Sequence, residues 1–242
     1  MTAPLFYVVD VAGTTLRLDG PDGHHAAVVR RLRIGERVDA GDGAGRVAEC
    51  VVSSVGSGVV DLDVVAHRVE LPPAPRLVVV QALAKGERAE DAVEAMTEVG
   101  VDEIVPWAAA RSVARWDGAR GEKALARWRV TAREAGKQAR RAWLPEVTDL
   151  ATTAAVVSRL RQAALGVVLH ESATTPLAGL QMPAAGVVVV VVGPEGGVSD
   201  EELAAFAGVG ASAYRLGSSV LRTSTAGVAA GAVILAASGR WS

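Results

Sequence analysis

Six consecutive valines, Val187–Val192, run directly into Gly193-Pro194-Glu195-Gly196-Gly197. A β-branched run without polar alternation is apolar on both faces of a strand, and only a strand covered on both sides tolerates that. Such strands lie inside parallel sheets flanked by helices, so this one run narrows the fold to the α/β class. At six residues the run is far too short to cross a bilayer. Composition agrees: half of the 242 residues are hydrophobic but only 4% are aromatic. A chain of this length forms one large domain or two modest ones and buries a real core either way.

The pattern changes along the chain. Up to about residue 70, short Val-rich runs (Phe6–Val9, Glu36–Ala40, Val47–Val52, Val59–Val65) alternate with Gly and Asp turns, and Asp42-Gly43 is a hairpin signal. This part reads as a small β-barrel or sheet. Leu71-Pro72-Pro73-Ala74-Pro75 then interrupts it, because proline lacks the donor and fixes φ. The predicted domains are therefore 1–71 and 76–242. In the second, predicted strands (Leu77–Leu83, Glu103–Pro106, Gly166–His170, Val187–Val192, Ala213–Leu216) alternate with predicted helices (Arg88–Val99, Gly121–Arg141, Thr153–Ala164, Asp200–Ala207, Thr223–Ala237). Ser199-Asp200-Glu201-Glu202 forms a capping box that starts the fourth of these helices.

Several classes fall away. Met1-Thr2-Ala3-Pro4 has no basic segment leading into an apolar one, so no secretory signal is expected and the chain is expected to be soluble and cytoplasmic. A lone Cys50 excludes an intrachain disulfide, and with four scattered His it predicts no metal site. The net charge of −2 argues against indiscriminate nucleic-acid binding, but Arg120–Arg141 holds eight cations against Glu122 and Glu134, a local charge of +6. Leu125, Trp128, Ala132, Ala135 and Ala139 share one helical stripe, and Arg129, Arg133, Lys137 and Arg140 share another. Pairing at i,i+4 does not account for that excess, so phosphate contact is preferred here over a merely solvated face.

Two small-residue loops carry the remaining signal. Glycines after the valine run let a ligand approach the backbone, at the strand end where α/β sheets bind ligands, although a tight strand-to-helix turn has the same residues. The loop is not G-x-G-x-x-G, and the chain has no Gly-Lys-Ser/Thr, so neither a dinucleotide fingerprint nor a P-loop is present. The second loop, Leu216-Gly217-Ser218-Ser219-Val220-Leu221-Arg222, precedes Thr223 or Ser224 as a helix cap and places a lone arginine in an apolar, hydroxylic setting.

Together these loops resemble those of the RsmE family, SPOUT-class methyltransferases that methylate N3 of a uridine in 16S ribosomal RNA. The family's Gly-Pro-Glu-Gly-Gly is matched in full, and its Leu-Gly-x-Arg-Ile-Leu-Arg-x-Glu-Thr-Ala is matched at Leu216, Gly217, Leu221, Arg222, Thr225 and Ala226. Ala84-Lys85-Gly86-Glu87-Arg88, Thr97–Pro106, Arg111-Ser112-Val113 and Glu134–Arg141 resemble further family segments, and His24-His25, Arg31, Gly35 and Asp42–Gly45 resemble its PUA-like module. Ser219 and Ser224 depart from the pattern, standing where the family commonly has Arg and Glu. Losing both together is consistent with removal of an Arg–Glu pair, which strands neither charge.

The resemblance implies a PUA-like β-barrel domain followed by a SPOUT domain with a C-terminal trefoil knot, a topology too rare to be read from periodicity. It implies homodimers, and an S-adenosylmethionine pocket formed by Leu169, His170 and Glu171; by Gly193, Pro194, Gly196 and Gly197; and by Leu216, Gly217, Ser218, Val220, Leu221, Thr225 and Ala226. Arg222 is the expected catalytic cation, stabilising the uridine anion, with Glu195 a second catalytic candidate as base. Arg31, Arg33, Lys85, Arg88, Arg111, Arg133, Lys137 and Arg140 are the expected contacts to 16S rRNA within the small ribosomal subunit. The alternatives are a SPOUT methyltransferase acting on another rRNA or tRNA nucleotide, and a non-catalytic RNA-binding or assembly protein of the same fold.

Overall fold

The valine run becomes the strand β10 (Val187–Val192) of a six-stranded parallel sheet, in a computed structural model that describes residues 3–84, 86 and 88–241. The chain divides into two units, one of residues 1–72 with 136–144, the other of 73–135 with 145–242.

The first unit contains β1 (Leu5–Tyr7), β2 (Thr15–Leu18), a short helix α1 (Gly20–His24) running into one π-helical turn (His25–Val29), β3 (Arg37–Gly41), β4 (Arg46–Val55) and β5 (Val60–Val69). Its sheet order is β1-β3-β4-β5-β2, antiparallel except for the parallel β1–β3 pair. Among the described residues β1 and β2 are the two edges, so the hydrogen bonding of the expected barrel is open. The Asp42-Gly43 turn joins β3 to β4 as predicted, with Gly41 opposite Val47. Phe6, Leu18, Val38, Ala40, Val52, Val60 and Leu62 fill the core.

Residues 136–144 pack with this unit although they follow a helix of the other. The Tyr7 hydroxyl donates to the Arg141 carbonyl at 2.6 Å, and the Gly45 N–H donates to the Ala142 carbonyl at 3.0 Å. The Trp143 indole N–H donates to the Glu70 carbonyl at 3.0 Å.

The second unit runs β6 (Arg76–Ala82), α2 (Arg88–Val99), β7 (Glu103–Trp107), α3 (Gly118–Gln138), β8 (Glu146–Val147), α4 (Thr153–Gln162), β9 (Leu165–Leu169), β10, α5 (Asp200–Ala207), β11 (Ser212–Tyr214) and α6 (Thr223–Ala237), the end of α3 belonging to the first unit. The sheet order is β11-β9-β10-β6-β7-β8, every pair parallel. Alternate valines of β10 enter different cores. Val188, Val190 and Val192 pack with Leu77, Met96, Trp128 and Ile234, and Val189 and Val191 pack with Val156, Leu160 and Phe206. Both faces are thus dry, and each buried valine contributes about 1.5–3 kcal/mol.

The ranges of β10, α2, α5 and α6 agree with those predicted, and the capping box at Ser199 and Glu202 is complete. The other predicted elements shift at one or both ends by one to four residues, and three details stand out. The helix predicted over Gly121–Arg141 spans Gly118–Gln138, because Arg140 turns left-handed (φ +54°) and the N–H groups of Arg140 and Arg141 close the end on the carbonyls of Lys137 and Gly136. Helix α6 is not capped by the side chain of Thr223 or Ser224. Arg222 is its N-cap, and its carbonyl accepts from the Thr225 hydroxyl at 3.1 Å. The short elements β2, α1 and β8 carry too few residues to show a period.

Candidate functional site

The carboxyl ends of β9, β10 and β11 open onto one cavity of about 490 Å³. Three loops build it: Leu169-His170-Glu171, Gly193–Gly197 and Leu216–Arg222. Parallel neighbours end on the same edge of the sheet, so β9 and β10 deliver the first two loops side by side, and the β11–β9 pair adds the third.

The glycine loop is shaped by contacts that exclude a side chain. A Cβ on Gly193 would lie 2.8 Å from Cγ2 of Val198, and Gly197 (φ +75°) closes a turn with its N–H on the Pro194 carbonyl at 2.9 Å. Arg111 lies under the loop, with its guanidinium at 3.4 Å from the Gly196 carbonyl and 3.5 Å from that of Val198. Helix-start N–H and the Ser199 hydroxyl hold the Glu201 carboxyl below its ordinary range, assisted by the Arg111 charge.

Buried Glu202 ties this loop to the segment after β7. Its carboxylate accepts from the Ser199 N–H at 3.0 Å, the Ala110 N–H at 2.8 Å and the Thr153 hydroxyl at 3.1 Å. The third loop is anchored at its far end by Gln81, fully buried in β6, whose amide donates to the Thr223 carbonyl at 3.2 Å. Between its anchors the loop is open: Val220 is 79% exposed, and Leu221 and Arg222 are also exposed.

His170 has its Nδ1 accepting the Ser172 N–H at 3.2 Å, so the neutral ring carries its proton on Nε2. Its own N–H bonds the Tyr214 carbonyl at 2.9 Å, which joins the first loop to β11.

Arg222 and Glu195 both line the cavity, and so do all the expected cofactor residues except Thr225, whose hydroxyl turns back to the Arg222 carbonyl. Arg88 and Arg111, expected on an RNA surface, line the same cavity, as do Tyr214 and Arg215, for which the sequence had no signal. Of the other expected RNA contacts, Arg31, Arg33 and Arg140 are exposed on the first unit and Arg133 is exposed on α3. Lys137 is not open to a phosphate: its side chain is 5% exposed and its Nζ pairs with Asp22 at 2.7 Å. Lys85 lies outside the described residues. Among the described residues no group of three or more His, Cys, Asp or Glu could hold a metal ion, and no helix is long and apolar enough to cross a membrane.

A parallel α/β unit with a loop-built cavity at its strand ends, accompanied by a small β unit, corresponds to a known class. Residues 72–235 match the RNA methyltransferase domain family, and residues 18–65 match the RNA methyltransferase PUA domain. Within that class, the chain belongs to the family of the ribosomal RNA small subunit methyltransferase E. It is 46% identical to that protein of Mycobacterium bovis, with 100% of this chain and 94% of the relative covered. Identity to the Bacillus subtilis protein of the same name is 28%, with 88% and 86% covered. A methyltransferase of Legionella pneumophila, solved with the cofactor SAM bound, superposes with a TM-score of 0.84 at 27% identity and 98% coverage of each chain.

Proposed function

We propose that this chain transfers the methyl group of S-adenosylmethionine to N3 of one uridine in 16S ribosomal RNA. The observation that carries the reading is the three-loop cavity, in which backbone groups, a few apolar side chains and four exposed arginines, Arg222 among them, converge. Its volume of about 490 Å³ lies inside the range of roughly 300–1,000 Å³ found for small-molecule sites. The residues present fit the cofactor: Leu216, Val220 and Leu221 supply apolar surface for an adenine, and the glycine loop offers close backbone N–H and C=O groups to its polar edges.

Bound S-adenosylmethionine supplies a methyl group on a sulfonium, already activated toward attack by nitrogen. The chain's task is therefore positioning, and management of the N3 proton. Arg222 is exposed beside the anchored end of the third loop, and its guanidinium is the cation to meet the pyrimidine oxygens and stabilise the anion left when N3 loses its proton. Glu195, which lines the cavity from the glycine loop, is the candidate base for that proton. A uridine in structured RNA must leave its stack to enter, so the first unit and α3 hold the flanking RNA by phosphates and shape. The reading includes a C-terminal trefoil knot, a homodimer and action on the small ribosomal subunit in the cytoplasm. The order β11-β9-β10-β6 supports the first of these.

The test is mass spectrometry of nucleosides from small-subunit rRNA of a strain lacking this gene, beside its parent. Loss of 3-methyluridine, restored by the intact gene but not by Arg222→Ala, is the expected result. A different missing nucleoside would move the target, and an unchanged profile would favour a non-catalytic binding protein. In vitro, Arg222→Ala should lower turnover about 100- to 1,000-fold while cofactor affinity stays within about threefold.

A further inference from the structure

The first unit has a concavity of its own, of about 40 Å³. Its walls are the start of β1 (Pro4–Phe6), His25 and Arg30 at the two ends of the π-helical turn, and Gln138 and Arg140 at the close of α3. The His25 ring stands edge-on to Phe6, with centroids 5.8 Å apart, which fixes one side. Lys137 also reaches this wall, but its charge is met by Asp22 at 2.7 Å. Arg30 and Arg140 differ: both are exposed, and among the described residues neither is in an ion pair. Asp39 feels the field of Arg140, yet its ion pairing is to Arg68 at 3.3 Å.

The backbone at Arg140 adds a second, independent observation. Its left-handed conformation (φ +54°) closes α3 at the position that glycine or asparagine ordinarily fills. Only Arg31 and Arg140 among the described non-glycine residues have positive φ. A long cationic side chain thus stands where the backbone favours glycine or asparagine.

We propose that this concavity is a subsite for one phosphodiester of the RNA backbone, with Arg30 and Arg140 as its two cations and His25 and Gln138 as flanking polar groups. The inference rests on the RNA methyltransferase reading of the chain. The space is too small for a base, and two guanidinium forks match the oxygens of a phosphate. Such a contact fixes register without reading sequence, which holds the RNA while the target base is out of its stack.

The test uses the full chain with 16S rRNA in small subunits from a strain lacking this gene, and reads binding as a function of salt, without catalysis. Arg140→Gly suits it because glycine relieves the left-handed backbone: the melting temperature should hold or rise, so weaker binding is not unfolding. Arg140→Gly and Arg30→Gln should each raise the Kd for the subunit about tenfold and flatten the log Kd against log salt slope by about 0.7–0.9, the share of one phosphate. Arg140→Lys should retain most of the affinity, and S-adenosylmethionine binding should not change in any variant. Unaltered Kd and slope in Arg140→Gly, with a lower melting temperature, would reduce Arg140 to a helix-terminal cation and overturn the subsite. Inorganic phosphate binding that the variants lose while RNA binding is unchanged would assign a free-anion site and overturn it as well. Wild-type protein that binds subunits but neither binds S-adenosylmethionine nor methylates would sink the enzymatic reading and leave the subsite result standing.

Discussion

Removing the Glu202 carboxylate should destabilise the second unit more than a change at any exposed acid. The side chain is 4% exposed and accepts three hydrogen bonds, from the N–H groups of Ser199 and Ala110 and the hydroxyl of Thr153. The Thr153 hydroxyl in turn accepts the Trp107 indole N–H at 3.2 Å. In Glu202→Ala the hydroxyl can rotate to a new partner, but the two backbone N–H groups cannot. Each buried unsatisfied donor costs about 1–3 kcal/mol, the Ser199 N–H being the lost half of the capping box, so the two together cost about 3–5 kcal/mol once relief of a buried charge is allowed for. For a chain of this size that is a fall in melting temperature of roughly 6–20 °C. Glu202→Gln keeps the shape but turns one amide N–H toward a backbone N–H, so it should fall between the alanine variant and wild type, near 2 kcal/mol. Scanning calorimetry of the three proteins at neutral pH gives the values. A Glu202→Ala protein within about 1 kcal/mol of wild type would refute the reasoning, since it would mean that the glycine loop and the Ala110–Arg111 segment are held together by something else.

Burial pushes the Asp42 carboxyl up, but the N–H groups of Ala44 and Arg46 and the Arg46 guanidinium outweigh it and hold it below the usual carboxylate range. A depressed folded pKa stabilises above the unfolded value, about 3.9, and the benefit is lost as pH falls through the lower folded value. Asp42→Asn should therefore cost about 1–2 kcal/mol in urea unfolding at pH 7 and progressively less below about pH 4. Burial, helped by the Asp39 charge, pushes the Cys50 thiol up to about 11. Only about one thiol in a thousand is then ionised at pH 8, so a disulfide reagent should label Cys50 within minutes in denaturant and over many hours in native protein. Gly45→Ala should cost about 2–3 kcal/mol or more, read as a lower melting temperature. Its Cβ would stand 2.6 Å from Cε2 of Trp143 and 2.7 Å from the Glu70 carbonyl, at a φ of +93°.

Some of this molecule is legible without coordinates. Val187–Val192 is apolar on both faces whatever surrounds it, and Ser199 with Glu202 closes a cap using neighbours three residues apart, so β10 and the start of α5 follow from local chemistry. The glycine loop and Arg222 were legible for the same reason, because their residue types and spacing are themselves the signal. Contacts between distant residues are not written in any window of the chain. Lys137 reads as one more cation on a basic helix, and only the packing of residues 136–144 with the first unit brings it to Asp22. Arg88 and Arg111 read as surface charge, yet β10, β6 and β7 lie side by side and parallel, so the segments leaving them emerge on one edge, where Arg88 lines the cavity and Arg111 reaches the Gly196 carbonyl. Sequence alone determined which segments could be strands, where the Ser199 cap falls and which loops are candidates for a ligand, since those depend on residues close along the chain. Tertiary structure alone decided which charges meet a partner and which meet the cavity, since that depends on the order and register of strands whose residues lie up to about a hundred positions apart in the chain.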